Sequence, residues 1–173
     1  MHDNWYQSSA YFLSSFALIT TVDEKGVTSI GPYQLSFPFG VIQRREWIVI
    51  SRRGSNTSTN IKRIKKCAMN FVEYDKKQTK NIVDLGYPGQ EPEEKMKGCA
   101  FELEQSPSQE YRDDPDRPKI IKNAFQVFEC ELNDNPEDFY YKGTETTEYM
   151  LLKINKIHLK EKWRNNWVTT LLR

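Results

Sequence analysis

Short β-branched and alternating apolar runs recur along this chain, each bounded by glycine, proline or a polar cluster, and helical spacing is scarce. Phe16–Val22 (FALITTV) reads as a strand. Asp23-Glu24-Lys25-Gly26 is a turn with glycine where positive φ is wanted, and Val27–Ile30 is the return strand of that hairpin. Gly31-Pro32 is expected to bend the chain, with Tyr33–Phe37 continuing it as far as Pro38. Trp47–Ser51 and Cys67–Tyr74 are further strands. In Ala124–Leu132 (AFQVFECEL), Phe128, Cys130 and Leu132 share one face, and Glu148–Leu159 is a long β-type run. Helical spacing is confined to residues 57–66, where Ile61 and Ile64 share a face, and to Lys76–Asp84, closed by Gly86. The tryptophan-rich end, Lys162–Leu171, reads as a short helix or arm.

Many strands at short spacing, without alternating long helices, predict an antiparallel barrel rather than a parallel sheet. From Gly86 to Pro118 periodicity stops. Gly86, Pro88, Gly89, Pro92, Pro107, Pro115 and Pro118 punctuate an acidic stretch expected to be a long irregular loop, functional or mobile. No repeat or low-complexity tract divides the chain, and residues 1–173 are expected to form one domain.

The richest segment is Ile48–Phe71, IVISRRGSNTSTNIKRIKKCAMNF. A strand runs into Arg52, Arg53 and a glycine, then into Ser55, Asn56, Thr57, Ser58, Thr59 and Asn60, and then into the short helix. Unpaired backbone N–H groups at a helix start carry partial positive charge, hydroxyls and amides add donors, and arginine adds bidentate charge. Such a turn suits a phosphate. Taken alone, the segment is more simply an ordinary capped helix with two solvated arginines, because Ser, Thr and Asn cap helices everywhere.

Charge sharpens the first reading. The net charge is +1, but residues 1–86 hold 12 Lys/Arg against 7 Asp/Glu while the remainder holds 13 against 17. The basic half therefore carries the phosphate-like turn. That distribution fits a small anion better than a nucleic acid, whose ligands carry a domain-wide basic excess.

Other chemistries find little support. Cys67, Cys99 and Cys130 show no CxxC spacing, so neither a disulfide framework nor a zinc site is indicated, and Cys67 and Cys130 are expected as buried small hydrophobes. With only His2 and His158, neither a metal cluster nor a hydrolytic triad has enough ligands or bases. No apolar run reaches the ~18 residues of a membrane span, and the N-terminus lacks a signal-peptide pattern, so a cytoplasmic protein without membrane partners is expected.

The order ALITTVDEKGVTSIGPYQLSF, WIVISRRGSNTSTNI, CAMNFVEYD and FQVFECEL resembles the flavin reductase-like, FMN-binding split-barrel family. The matching elements fall at Ala17–Gly26, Gly31–Ser36, Ser51–Ile61, Cys67–Val72 and Glu129–Cys130. The resemblance implies a mainly β protein, a six-stranded antiparallel split β-barrel with a few short helices, forming a homodimer with FMN bound to each subunit. Carried over by position, Tyr33, Gln34, Leu35 and Ser36 would run beside the flavin ring. Ser51, Arg52 and Arg53, with Asn56, Thr57 and Asn60, would take the phosphate. The family's Lys-Asp-Thr turn is Ser55-Asn56-Thr57 here, so Arg52 or Arg53 must replace the missing lysine.

Hydride transfer from NADH or NADPH to flavin needs no protein acid or base, and no catalytic side chain is assigned. The leading expectation is an NAD(P)H:flavin oxidoreductase that binds NADH or NADPH transiently and passes electrons to flavin or to a partner acceptor. A flavin-holding electron carrier is the nearest rival. A third reading is a binding module with a basic face built from Arg44, Arg45, Arg52, Arg53 and Lys62–Lys66; no nucleic-acid-binding motif accompanies it.

Overall fold

The structure is a computed structural model that describes residues 16–39, 45–73, 75–87, 91–135 and 143–163. Nine strands and four short helices occur in these residues: β1 (Ala17–Val22), β2 (Thr28–Tyr33), β3 (Ser36–Phe39), β4 (Glu46–Arg52), α1 (Asn56–Ile64), β5 (Lys66–Phe71), α2 (Lys76–Gly86), α3 (Pro92–Lys97), β6 (Leu103–Glu104), α4 (Gln109–Arg112), β7 (Ile120–Ile121), β8 (Gln126–Asn133) and β9 (Thr147–Leu159). Seven strands form one antiparallel sheet in the order β2-β1-β5-β8-β9-β4-β3.

The two edge strands of that sheet, β2 and β3, are successive pieces of one chain. They are separated only by Gln34 and Leu35. β2 pairs with β1, and β3 pairs with β4. The Ile50 N–H donates to Leu35 O (2.9 Å), which holds the bend against β4. One bent strand thus spans both edges and curls the sheet. Counted as that single strand, the sheet has the six expected of a split barrel; counted by segment it has seven.

The bend is not at Gly31-Pro32, as the sequence suggests. Both residues continue β2, with Pro32 opposite Leu18, and the turn falls at Gln34-Leu35. Proline lacks the N–H of a central strand but is tolerated at a sheet edge, where that group has no ladder partner. Gly26 does take the left-handed turn position, with φ 78°.

Two apolar layers explain the strand patterns. Inside the curl, Ala17, Ile19, Trp47, Val49, Cys67, Met69, Phe71, Phe128, Cys130, Met150 and Leu152 pack together with Ile61 of α1. Trp47, Phe71 and Phe128 meet edge-on at centroid distances of 5.1–5.9 Å, a favoured arrangement of aromatic quadrupoles. On the outer face Leu18, Ile30, Ala68 and Val127 are covered by Leu85, Phe101, Ile120, Ile121 and Ala124. β1 is therefore buried on both faces at all six positions, which is why its sequence is a continuous run rather than an alternation.

The segment 86–118, expected as an irregular loop, carries α3, β6 and α4 in its described part. Its second half is strapped to the barrel. Lys66 pairs with Asp114 (2.7 Å), Arg117 donates to Cys130 O (3.2 Å) and pairs with Glu131, and Lys156 donates to Ser108 (2.6 Å). Tyr111 lies between the Arg117 and Lys156 cations, 4.0 and 4.7 Å from its ring centre. The ladder β5–β8 sets Cys67 opposite Cys130, both buried as expected. Of the C-terminal segment, residues 164–171 lie outside the described residues. No helix among the described residues is long and apolar enough to cross a membrane.

Candidate functional site

The site begins where β4 ends. Ser55 caps α1: its hydroxyl accepts from the Ser58 N–H (3.1 Å), and no acid occupies the first turn of the helix. The helix dipole adds partial positive charge at the start of α1. Behind the cap the Tyr33 hydroxyl meets Ser51 Oγ (3.0 Å) and Ser55 Oγ (3.2 Å), and those two serines meet each other (2.9 Å). This hydroxyl cluster ties the end of β2 to the β4–α1 turn.

Gly31 lets α1 approach β2 closely. A Cβ there would lie 2.3 Å from Thr57 Oγ1 and 3.4 Å from Thr57 Cβ, so any side chain would lift the helix start from the strand. Asn60 anchors the next turn of the helix, donating to the buried Thr21 hydroxyl at 3.2 Å.

Between β2, the α1 start and the α2–α3 corner lies a half-open cleft of about 100 Å³. Tyr33, Arg52, Asn56 and Thr57 form one side, and Leu85, Tyr87, Pro92 and Lys95 the other. Burial, and next the charge of Arg52, hold the Lys95 ammonium below its ordinary pKa. On the far side of the turn Glu148 is buried and accepts from the Gly54 N–H (3.1 Å) and from Lys62 Nζ (2.7 Å). Burial pushes its carboxyl up, but hydrogen bonds from Lys62, Ser58 and Gly54 outweigh this and hold it below the usual carboxylate range.

Of the ten residues expected at a flavin site, four line this cleft: Tyr33, Arg52, Asn56 and Thr57. Gln34 and Leu35 form the half-buried bend, and Ser36 is fully buried behind it. Ser51 is buried under the hydroxyl cluster, and Asn60 is spent on Thr21. Arg53 differs most from expectation. Its Nε and Nη2 both donate to Thr144 O (2.9 and 2.6 Å), fastening the turn before β9, so it faces away from the cleft. The carbonyl of that turn lies within reach and offers a fixed partner.

The basic run of α1 is also committed. Lys62 pairs with Glu148, Arg63 donates to Val22 O (2.6 Å), Lys65 pairs with Asp134 (2.8 Å) and Lys66 with Asp114. Arg44 lies outside the described residues. Lys95 was missed, because nothing in its local sequence marks it. It reaches the cleft only because α3 packs on β2, a contact between residues far apart in the chain.

No family profile and no curated protein matches the sequence. Solved structures do match the fold. A 2-nitrobenzoate 2-nitroreductase of Pseudomonas fluorescens superposes with a TM-score of 0.71 at 16% identity, over 94% of this chain and 74% of that one. A flavin reductase gives 0.64 at 15%, over 93% and 90%. A flavoredoxin of Methanosarcina acetivorans gives 0.65 at 14%, over 90% and 75%. The chain has the flavin reductase-like split-barrel fold, as its ordered motifs suggested. At such identities the likeness is one of fold, and the site must argue function for itself.

Proposed function

We propose that this protein binds FMN and is an NAD(P)H:flavin oxidoreductase. One observation carries the reading: a cleft in a flavin reductase-like barrel brings an arginine, the start of α1 and a tyrosine together. Those groups fit the phosphate end of FMN. Arg52 and the N-terminus of α1 would hold the phosphate, with Asn56 and Thr57 beside it. Tyr33, through Ser51 and Ser55, ties β2 to the β4–α1 turn and so fixes that wall of the cleft. The bend at Gln34-Leu35 continues from that wall and would border the ring.

Bound flavin supplies hydride-accepting chemistry of its own. The chain's part is to bind, to orient and to limit water at the cleft, which requires no histidine or cysteine. A carrier that holds flavin without using NAD(P)H is the second reading. The acidic excess of the 86–118 segment favours it, because a dinucleotide brings negative charge of its own. Anaerobic rapid mixing of FMN-loaded protein with NADH and with NADPH separates the two. Flavin bleaching faster than in free solution supports the reductase; no acceleration with either nucleotide leaves the carrier.

A further inference from the structure

Two cations face the cleft without an acid to pair with. Arg52 is exposed and Lys95 half-buried, and among the described residues neither has a carboxylate within ion-pairing distance. The acids beside Lys95 on α3 are engaged elsewhere. Glu93 binds Lys25 (2.9 Å) and Glu94 binds Lys97 (2.5 Å). Among the described residues the Lys95 ammonium donates only to Leu85 O, at a long 3.3 Å. Its stem is half-buried in the wall, so the charge is held at the cleft rather than swept through solvent. Opposite stands the start of α1, whose own first turn holds no acid and whose neighbour Glu148 is already paired with Lys62.

Like charges converging on one space cost energy unless an anion lies between them. Leu85 O does not meet that need: it is neutral and offers one weak bond to an ammonium with three donors. A phosphate monoester, carrying about −1.5 to −2 charges at pH 7 with three acceptor oxygens, does meet it.

We infer that Lys95 and Arg52 form a two-cation clamp on a phosphate monoester, with Lys95 supplying from α3 the ammonium that the β4–α1 turn lacks. The inference rests on the flavin reading for the identity of the ester but not for the clamp. It also gives the 86–118 segment a divided role: Lys95 lines the cleft, while the part from Ser108 to Arg117 is strapped to the barrel wall.

The test compares FMN with riboflavin, which differ only in the phosphate, by fluorescence titration of the wild type and of Lys95→Gln, Lys95→Arg and Arg52→Gln. The expected result is a loss of FMN affinity of about tenfold or more in Lys95→Gln. Riboflavin affinity should be unchanged, and Lys95→Arg should recover most of the loss. Retained circular dichroism shows that the variant is folded. Wild-type FMN binding that is undiminished in Lys95→Gln, or an equal loss for both flavins, overturns the clamp and leaves flavin binding intact. If the wild type binds neither flavin, the flavin reading fails and the clamp is judged with inorganic phosphate by ³¹P line broadening. Broadening that Lys95→Gln abolishes sustains the clamp; no broadening, or broadening unaffected by the variant, removes it.

Discussion

Replacing Gly31 with alanine tests whether the helix start is seated on β2 as described. The new Cβ would meet Thr57 Oγ1 at 2.3 Å and Tyr33 Cε2 at 3.1 Å. Thr57 is buried and β-branched, so its hydroxyl has little freedom to swing aside. Glycine is present for space and not for backbone conformation, since Gly31 is not among the positive-φ residues. Forcing one methyl into such a contact costs about 1–3 kcal/mol. For a chain of this size each kcal/mol lowers the Tm by about 2–4 °C.

The second half of the argument is the rescue. Thr57→Ala deletes the atom at 2.3 Å and leaves Thr57 Cβ at an ordinary 3.4 Å and the tip of Tyr33 at 3.1 Å. Gly31→Ala in the Thr57→Ala background should therefore cost much less than in the wild type, with a coupling of about 0.5–3 kcal/mol. Urea unfolding of the four proteins measures it. Gly31→Ala within about 0.5 kcal/mol of the wild type, or additive effects of the two changes, would show that α1 does not press on β2 here.

The two arginines should part company. Arg52→Ala is expected to weaken FMN binding about tenfold or more while sparing riboflavin, since a hydrogen bond to a charged group is worth about 1.5–3 kcal/mol. Arg53→Ala should leave the FMN-to-riboflavin ratio unchanged and raise amide exchange around Thr144, to whose carbonyl it donates; flavin titration and hydrogen exchange check both. Acid should loosen the turn through Glu148. Its folded pKa lies below the ordinary 4.5, so its stabilisation is fully present above that value and is lost as pH falls through the folded pKa. Glu148→Gln should flatten the dependence of the urea midpoint on pH below about 5, and an unchanged slope would exclude the carboxylate as its source.

Local elements were legible because local patterns make them. The β1–β2 hairpin follows from an apolar run and Gly26 at positive φ, and α1 follows from Ser55 before Ile61. Phe128 and Cys130 do share the inner face, with Leu132 packed against it. Long-range placement was not legible. Pro32 invites a bend, but at an edge position β2 continues through it to Tyr33. Arg52 and Arg53 are neighbours in a strand end and so leave on opposite sides, one to the cleft and one to Thr144. Their roles depend on which wall each side meets. The far wall of the cleft, Leu85 to Lys95, comes from helices whose packing on β2 leaves no spacing signal near Arg52.

Flavin binding is the central claim, and equilibrium titration tests it most directly. FMN at fixed concentration is mixed with increasing purified protein, and flavin fluorescence is followed beside a riboflavin control. The account predicts a saturable change for FMN, at least about tenfold tighter than for riboflavin, as a charged phosphate contact requires. No change in FMN fluorescence or absorbance at high protein concentration would contradict it.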